Sequence, residues 1–433
     1  MYRLDKEKIN ILMKKRGIKS QKELAEKLGK KEGQISKDLS GKQDFLKSNI
    51  RELCDFLGVD IIDIISNQAD QLTLDIPFKE EIIEEKVDIT KVIPRKTFNV
   101  IEFFAGAGGL ALGLEKAGFN TVLLNEFDKN AVATLRKNRP NWNVIEEDIS
   151  KVVENGVSNY IPKESEIDLI SGGYPCQAFS VAGKRLGLDD ARGTLFYPFA
   201  KAIEELRPKM FLAENVKGLT SHDKGKTLKI MLDVYEELGY FVFYKVLNAL
   251  NYGVAQKRER IVIVGIRKDL KEKYNLNYRF PKEFSYQYVL RDVLKDVPPS
   301  ECPAYSEAKR KVLELVPPGG YWRDLPDDIA KEYMGKSYYS GGGKTGMARR
   351  LSWNEPGLTV ICSPAQKQTE RCHPDEVRPF SVRENARIQS FPDNWEFVGS
   401  VTDKYKQIGN AVPVNFAKAI GLSIIDTLNK IDD

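Results

Sequence analysis

The stretch that decides the fold is NVIEFFAGAGGLALGLEKAGF, residues 99–119. An apolar run that ends at Phe104 is followed by closely spaced glycines and then by a helical pattern of alanines and leucines. Glycine lets the backbone turn tightly between a strand and a helix and approach a bound ligand closely. The stretch therefore predicts a strand, a tight turn at Gly106 and Gly108, and a helix, the first unit of an α/β sheet.

Further apolar segments continue this alternation of strands with glycine-rich turns and amphipathic helices. They are TVLLNEF (121–127), DLISGGYP (168–175), MFLAEN (210–215) and RIVIVGI (260–266). Strands that alternate with helices predict a parallel sheet, and such sheets bind ligands beyond the carboxyl ends of their strands. We therefore expect a Rossmann-like α/β domain that starts near Thr97.

The second apolar segment ends in Asn125, Glu126 and Phe127, and Glu126 lies twenty residues after Gly106. A carboxylate in this position accepts hydrogen bonds from ribose hydroxyls in nucleotide-binding folds. The turn and the acid together predict a nucleoside cofactor, although tight turns require glycine even without one. The turn lacks the Lys and Ser or Thr of a P-loop, which disfavours phosphoryl transfer.

Cys176 follows the third apolar segment directly, in SGGYPCQAFS (171–180). A strand that ends there presents the thiol at the carboxyl edge of the sheet, where ligands bind. A cysteine so placed is a candidate nucleophile, whereas a buried cysteine elsewhere is usually inert packing.

This segment closely resembles the cytosine-5 DNA methyltransferase family, whose Pro-Cys-Gln nucleophile motif is present as Pro175, Cys176 and Gln177. Further motifs of the family follow in the family's order between Asn99 and about Val414. They are the cofactor residues Phe104, Gly106, Gly108, Glu126, Phe127, Asp148, Ile149, Pro175 and Leu195, the Glu214-Asn215-Val216 motif, the Gln256, Arg258 and Arg260 motif, the arginines Arg383 and Arg387, and Gly409 with Asn410, which is a further cofactor residue. Each alone has a plain structural explanation, but their common order favours the family.

The resemblance implies transfer of a methyl group from S-adenosylmethionine to carbon-5 of a cytosine in duplex DNA. Carbon-5 is a poor nucleophile, so the Cys176 thiolate would first add to carbon-6. Glu214, with a raised pKa, would protonate ring nitrogen-3, while Arg260 binds the base carbonyl and Arg258 supports the site. A base that the sequence does not identify removes the carbon-5 proton, and the thiolate leaves. Because carbon-6 is inaccessible in a stacked duplex, the cytosine would be flipped out.

The N-terminal stretch SQKELAEKLGKKEGQISKDLSGK (20–42) predicts a helix, a turn and a second helix. Ser20 can cap the first helix, and the second helix exposes Gln34, Ser36 and Lys37, which suit phosphates and base edges. The stretch resembles the helix-turn-helix of phage-repressor-type regulators. The plain alternative is a small helical bundle with a basic, solvated face. If it binds DNA, the promoter of the enzyme's own gene is the expected target, as in restriction-modification systems.

The predicted organisation follows from these motifs. It consists of a helix-turn-helix domain (1–66), a linker (67–96), a catalytic domain (97–272), a target-recognition domain (273–380) and a C-terminal return to the catalytic domain (381–433). DNA should lie between the catalytic and recognition parts. Basic and polar residues of the recognition part that are candidate DNA contacts are Arg349, Arg350, Lys367, Gln368 and Arg371.

Composition limits the function classes. Charged residues make up 30% of the 433-residue chain, and no apolar run approaches the roughly 18 residues that span a bilayer. No secretory signal is visible, so we expect a cytoplasmic protein with reduced thiols that contacts no membrane and acts on its target as a monomer. The net charge of +5 permits a polyanionic partner. The two histidines, His222 and His373, lack companion ligands, so no metal site is expected.

Two rival functions remain open. An RNA cytosine methyltransferase would share the fold, although the helix-turn-helix and the long recognition insertion favour DNA. A DNA-binding regulator with a degenerate catalytic domain would not need Cys176, Glu214 and Arg260 intact.

Overall fold

The structure, a computed structural model, describes residues 6–15, 17–18, 20–28, 85–175, 194–340, 343–363 and 366–431. Cys176 and the predicted second helix with Gln34, Ser36 and Lys37 lie outside the described residues. The chain divides into two compact units, Met1–Glu81 with Asp223–Gly225, and Ile82–His222 with Lys226–Asp433.

The smaller unit contains helices α1 (Lys6–Lys15) and α2 (Gln21–Lys27). The Ser20 hydroxyl accepts a hydrogen bond from the backbone N–H of Glu23 at 3.1 Å, so the predicted cap of α2 is confirmed. Among the described residues of this unit, the buried apolar side chains are Ile9, Met13, Ile18, Leu24 and Ala25.

The larger unit is built on a seven-stranded sheet. Its strands are β1 (Phe98–Phe103), β2 (Phe119–Glu126), β3 (Val144–Glu146), β4 (Leu169–Gly172), β5 (Met210–Val216), β6 (Tyr240–Asn248) and β8 (Glu259–Arg267). The order across the sheet is β3-β2-β1-β4-β5-β8-β6. A separate parallel pair joins β7 (Gln256–Lys257) to β9 (Gly357–Leu358).

Strand β8 departs from the parallel sheet that the sequence predicts, because it runs antiparallel to both β5 and β6. Only a short segment without an α-helix joins β6 to β8. A parallel crossover needs a dozen or more residues, whereas a short connection leads to antiparallel pairing. The other neighbouring strands of the sheet pair in parallel, as predicted.

Helices cover both faces of the sheet and make up the C-terminal part of the unit. They are α3 (Gly109–Ala117), α4 (Lys129–Asn138), α5 (Ile149–Glu154), α6 (Phe196–Leu206), α7 (Lys226–Glu237), α8 (Lys268–Lys273), α9 (Leu290–Val293), α10 (Glu307–Glu314), α11 (Asp327–Met334), α12 (Val382–Ile388), α13 (Val401–Asn410) and α14 (Val414–Leu428). Apolar residues of α3 and α14 pack on one face of the sheet, and those of α6 and α7 pack on the other. The α/β fold predicted from residues 99–119 is therefore confirmed.

The predicted glycine turn joins β1 to α3. Gly106 and Gly108 have φ values of +53° and +84°, a region that favours glycine. A Cβ atom on Gly108 would lie 2.7 Å from the side chain of Leu135. The turn therefore needs glycine both for its backbone conformation and for its close packing.

The segment 85–97, which we call the strap, belongs to the larger unit although most of it falls in the predicted linker. Val87 and Ile89 are buried, and Val87 exchanges backbone hydrogen bonds with the chain at Phe280 and Lys282. Asn429, just beyond α14, accepts a hydrogen bond from the strap at one end of its amide and donates one at the other, each 2.9 Å long.

Residues 273–380, which the sequence predicts as the target-recognition domain, are called the recognition region. A small core within it contains Leu313, Val316, Trp322, Met334, Ala348 and Cys372. The chain then returns to the sheet through α12, α13 and α14. The stretch Val401–Leu428 is long and apolar enough to cross a membrane, but most of it is buried inside the larger unit.

Candidate active site

A cleft of about 930 Å³ opens beyond the carboxyl ends of β1, β2, β4 and β5. The chain leaves β1 and β4 in opposite directions along the sheet, which is the place where ligands bind in open α/β folds. The sequence-predicted residues that line the cleft are Phe104, Gly106, Glu126, Phe127, Pro175, Glu214, Asn215, Val216, Arg258, Arg260, Gly409 and Asn410.

Four predicted cofactor residues do not line this cleft in the described part of the chain: Gly108, Asp148, Ile149 and Leu195. Asp148 caps α5, since its carboxylate accepts a hydrogen bond from the N–H of Ser150 at 2.8 Å. Ile149 is buried in the core, and Leu195 packs partly buried against it.

Glu126 holds the backbone around the glycine turn. One carboxylate oxygen accepts a hydrogen bond from the N–H of Gly106 at 2.7 Å. The other accepts from the N–H groups of Phe127 and Asp128, at 2.8 and 2.7 Å. The ring of Phe127 is 73% exposed beside the cleft. A carboxylate and an open aromatic ring at this end can bind the sugar and the base of a nucleoside.

Glu214, near the end of β5, is a buried acid that lines the cleft. Nε of Arg260 lies 3.0 Å from Oε1 of Glu214, although the two groups are not aligned as a hydrogen bond. Burial raises the pKa of Glu214 above its ordinary value, against the lowering effect of Arg260 and Arg258. The site therefore favours a protonated carboxyl more than water does.

The loop that leads to Cys176 is fixed from β5. The side-chain amide of Asn215 donates a hydrogen bond to the carbonyl of Tyr174 at 2.8 Å, and its oxygen accepts one from the N–H of Val216. Pro175 lines the cleft, and Cys176 follows outside the described residues. The end of β4 thus brings the chain to the cleft beside Glu214.

Arg258 is buried behind the cleft and joins two distant segments. It donates hydrogen bonds to the carbonyl of Val360 in the recognition region and to those of Gly409 and Ala411 in the return, at 3.0–3.3 Å. Burial lowers its pKa to about 9. The guanidinium of Arg258 therefore connects the recognition region to the C-terminal return beside the cleft.

Gln389 is a buried polar residue that the sequence did not single out. Its amide donates to the carbonyls of Ile408 and Ala411, while its oxygen accepts from the amide of Gln256 at 2.6 Å. Gln256 in turn accepts from the N–H of Val360. Gln389 follows the predicted motif residues Arg383 and Arg387 closely in the sequence. Its partners could be identified only from the structure, because Gln256 and the residues of the C-terminal return are distant from it along the chain or carry no signal of the contact.

The C-terminal return closes the cleft. A Cβ atom on Gly409 would lie 2.6 Å from the backbone at Cys362, so the recognition region packs directly on α13. Oδ1 of Asn410 accepts a hydrogen bond from the Cys362 thiol at 3.1 Å. Lys406, also on α13, pairs with Asp128 at 2.9 Å, and both residues line the cleft. The sequence did not predict this pair.

The candidate DNA contacts of the recognition region differ in how many of their N–H groups already donate hydrogen bonds within the protein. Arg350 donates to three backbone carbonyls of its own region. Arg349 donates to the carbonyl of Gly319 and lies 3.5 Å from Glu355. Arg371 donates to the carbonyl of the preceding residue, and burial lowers its pKa to about 10. Arg371 therefore keeps more donors for another partner than Arg350 does.

The remaining candidates are surface residues. Lys367 and Gln368 lie exposed on a 3₁₀ turn, where Lys367 donates to the carbonyl of Tyr333. Within the described ranges, no three His, Cys, Asp or Glu side chains are grouped to hold a metal ion.

Comparison with known proteins places these features in a family. The C-5 cytosine-specific DNA methylase family matches residues 98–426, and the Cro/C1-type helix-turn-helix DNA-binding domain matches residues 8–70. The type II methyltransferase M.Sau96I of Staphylococcus aureus is 56% identical over 99% of this chain and 100% of its own. M.Eco47II of Escherichia coli, also a type II methyltransferase, is 56% identical over 80% of this chain and 82% of its own.

Solved structures agree with this assignment. A putative DNA modification methyltransferase encoded within an E. coli prophage is 25% identical and superposes with a TM-score of 0.56, over 77% of this chain and all of its own. The family match covers most of the chain, and the resemblance inferred from the motifs is confirmed. The chain belongs to the C-5 cytosine-specific DNA methylase family, as a DNA methyltransferase of the type II restriction-modification kind with a Cro/C1-type helix-turn-helix domain.

Proposed function

We propose that the protein transfers a methyl group from S-adenosylmethionine to carbon-5 of a flipped cytosine in a specific duplex DNA sequence, with Cys176 as the nucleophile. The observation that carries the proposal is the buried pair of Glu214 and Arg260, 3.0 Å apart, in the cleft that the chain reaches at Pro175 just before Cys176. An acid and a cation held side by side match the ring nitrogen and the carbonyl of cytosine.

The residues of the cleft fit S-adenosylmethionine. Glu126 and the exposed ring of Phe127 would hold its nucleoside part. A side chain on Gly106 would meet no atom within 4 Å, so the backbone of the turn is bare on that side. Glu102 lines the same cleft, and its buried Oε2 has no hydrogen-bond partner among the described residues, as expected of a site built for a polar ligand. The cofactor would supply an electrophilic methyl group.

The chain's own residues would carry out the other steps. The Cys176 thiolate adds to carbon-6 of the cytosine, and the electron pair moves toward ring nitrogen-3, where Glu214 delivers a proton. Carbon-5 becomes electron-rich, and bound S-adenosylmethionine would supply the methyl group to it and leave as S-adenosylhomocysteine. A base removes the carbon-5 proton, the bond between sulfur and carbon-6 breaks, and Glu214 recovers its proton from nitrogen-3. Arg260 holds the base carbonyl throughout.

Cys176→Ser tests the nucleophile. We expect it to lose methyl transfer while it still binds DNA and S-adenosylmethionine, and retained turnover would refute the assignment. Bisulfite sequencing of DNA methylated by the purified wild-type protein identifies the base and its sequence context. Transfer to RNA and not to duplex DNA would contradict the proposed substrate.

The helix-turn-helix domain gives a second activity. It is proposed to bind the promoter of the enzyme's own gene in the cytoplasm of the host and to repress transcription, while the catalytic unit protects host DNA from a partner nuclease. The Cro/C1-type match over residues 8–70 supports this. Loss of promoter binding after deletion of residues 1–66 is the expected result, and unchanged binding would exclude it.

A further inference from the structure

Two buried tyrosine hydroxyl groups lie beneath the turn that leads to Cys176. The hydroxyl oxygens of Tyr174 and Tyr235 are 3.1 Å apart, and both side chains are at least 98% buried. Tyr174 follows β4 and Tyr235 belongs to α7, so the bond joins an end of the sheet to the helix that covers it. Nothing in the proposed reaction uses either hydroxyl.

Aromatic rings surround the pair closely. The ring of Tyr174 lies 5.6 Å from that of Phe196 and 5.3 Å from that of Phe199. The ring of Tyr235 stacks on Phe211 at 4.1 Å. Phenylalanine would fill the same space, so packing alone does not account for two hydroxyl groups, which are costly to bury unless they bond to each other.

The hydrogen bond between the two hydroxyls restrains the orientation of both rings, whereas apolar packing is non-directional. Burial raises the pKa of Tyr235 well above its ordinary value, so its hydroxyl keeps its proton. The other end of Tyr174 is also held, because its carbonyl accepts the hydrogen bond from Asn215 at 2.8 Å. Tyr174 is thus fixed at its backbone by β5 and at its ring tip by α7.

The position of Tyr174 should influence the position of Cys176, which is only two residues further along the chain. Pro175 stands between them, and a proline fixes its own φ and restricts the residue before it to extended backbone. We therefore expect a displacement of the Tyr174 backbone to be transmitted through Pro175 to Cys176 with little loss.

We propose that Tyr174 and Tyr235 are positioning residues of the methyl transfer reaction, whose paired hydroxyls fix the end of β4 against α7 and so place the Cys176 thiol under the target base. The inference rests on the proposed role of Cys176. A thiol displaced by a fraction of an ångström still allows binding of both substrates but forms the bond to carbon-6 more slowly.

The test compares Tyr174→Phe, Tyr235→Phe and the double variant in the full-length protein. The probe is duplex DNA with the methylated sequence identified by bisulfite sequencing, carrying 5-fluorocytosine at the target. Fluorine cannot leave carbon-5 as a proton does, so the covalent adduct accumulates and its rate of formation is measured. We expect each variant to lower kcat and the adduct rate by about tenfold, with KM for S-adenosylmethionine unchanged.

Tyr240→Phe is the matched control. Tyr240 is as deeply buried in the same core, and its hydroxyl donates to the carbonyl of Pro208 at 2.8 Å, at the end of the sheet opposite the cleft. We expect this variant to lose thermal stability about as much as the single variants do and to keep the wild-type kcat.

The melting temperatures of the variants distinguish a positioning role of the two hydroxyls from a role in packing alone. A single variant leaves one buried hydroxyl with a poorer partner, whereas the double variant leaves none, so its melting temperature should recover. Its adduct rate should stay low. A double variant with wild-type adduct rate, or a Tyr240→Phe variant with an equal loss of kcat, would overturn the inference. Failure of the wild-type protein to form the adduct would instead refute the role of Cys176.

Discussion

Glu214 faces opposing influences within a few ångströms. Its burial favours the neutral carboxyl, and the guanidinium groups of Arg260 and Arg258 favour the charged one. Burial is the larger effect, so the pKa lies above its ordinary value. A carboxyl that donates a proton to the cytosine ring is active below its pKa, so activity should fall as pH rises through that raised value.

Arg260→Met should lower kcat by about a hundredfold, because it removes a donor to the charge that develops on the base. It should also move the alkaline limit of kcat to higher pH, since the loss of Arg260 raises the pKa of Glu214 further. The measurement is kcat against pH. Arg267→Met, which removes an ion pair at the other end of β8, should leave the limit in place. A limit that moves to lower pH would contradict the assignment.

Glu126→Gln should raise KM for S-adenosylmethionine by about tenfold and change kcat little, because a charged acceptor of three backbone N–H groups is replaced by a neutral amide. Titration calorimetry measures the affinity. Glu205→Gln is the control, since Glu205 also accepts two backbone N–H groups but far from the cleft. Equal losses in both variants would show a general effect on folding.

Site residues that lie at the ends of apolar segments could be predicted from the sequence. Glu126 and Glu214 end apolar segments, and the ends of parallel strands meet at one edge, so their position on the cleft follows from the pattern. The pair of Lys406 and Asp128 was not predictable, because its members are 278 residues apart and each alone is an ordinary charged residue. The roles proposed for these side chains stay predictions.

The elements of the fold differ in how far the sequence predicts them. Strands with continuous apolar runs, such as β4 and β5, are buried on both sides and were predicted. Strand β6 is a half-exposed edge, and β3 has only three residues, so neither gave a comparable signal. The antiparallel direction of β8 depends on the length of its connection and not on its composition.

Helix α13 depends on close contact with the recognition region. Gly409→Ala should destabilise the protein by about 1–3 kcal/mol, because the added methyl group would overlap the backbone of Ile361 and Cys362. Methyl transfer should fall too, since the carbonyl of Gly409 accepts from Arg258. Urea unfolding measures the first effect. Gly343→Ala, whose methyl group would make only ordinary contact, should leave both unchanged.

At the scale of the whole molecule, the strap and the C-terminal return complete the larger unit from its first and its last residues. Helix α14 packs along α3, directly after the glycine turn, and Asn429 then binds the strap through both ends of its amide. The family match begins at residue 98 and therefore omits the strap. The sequence predicts a linker over residues 67–96, yet Val87 and Ile89 belong to the main core.

A chain that begins at Glu85 should keep the stability of the larger unit and its methyl transfer, whereas one that begins at Phe98 should lose about 3 kcal/mol or more. The reason is that burial of Val87 and Ile89 contributes about 1.5–3 kcal/mol for each side chain. Asn429 would also lose both of its partners. Thermal unfolding and methyl incorporation into duplex DNA compare the two chains. Equal melting temperatures would mean that the strap is only a linker, as the sequence predicts for residues 67–96.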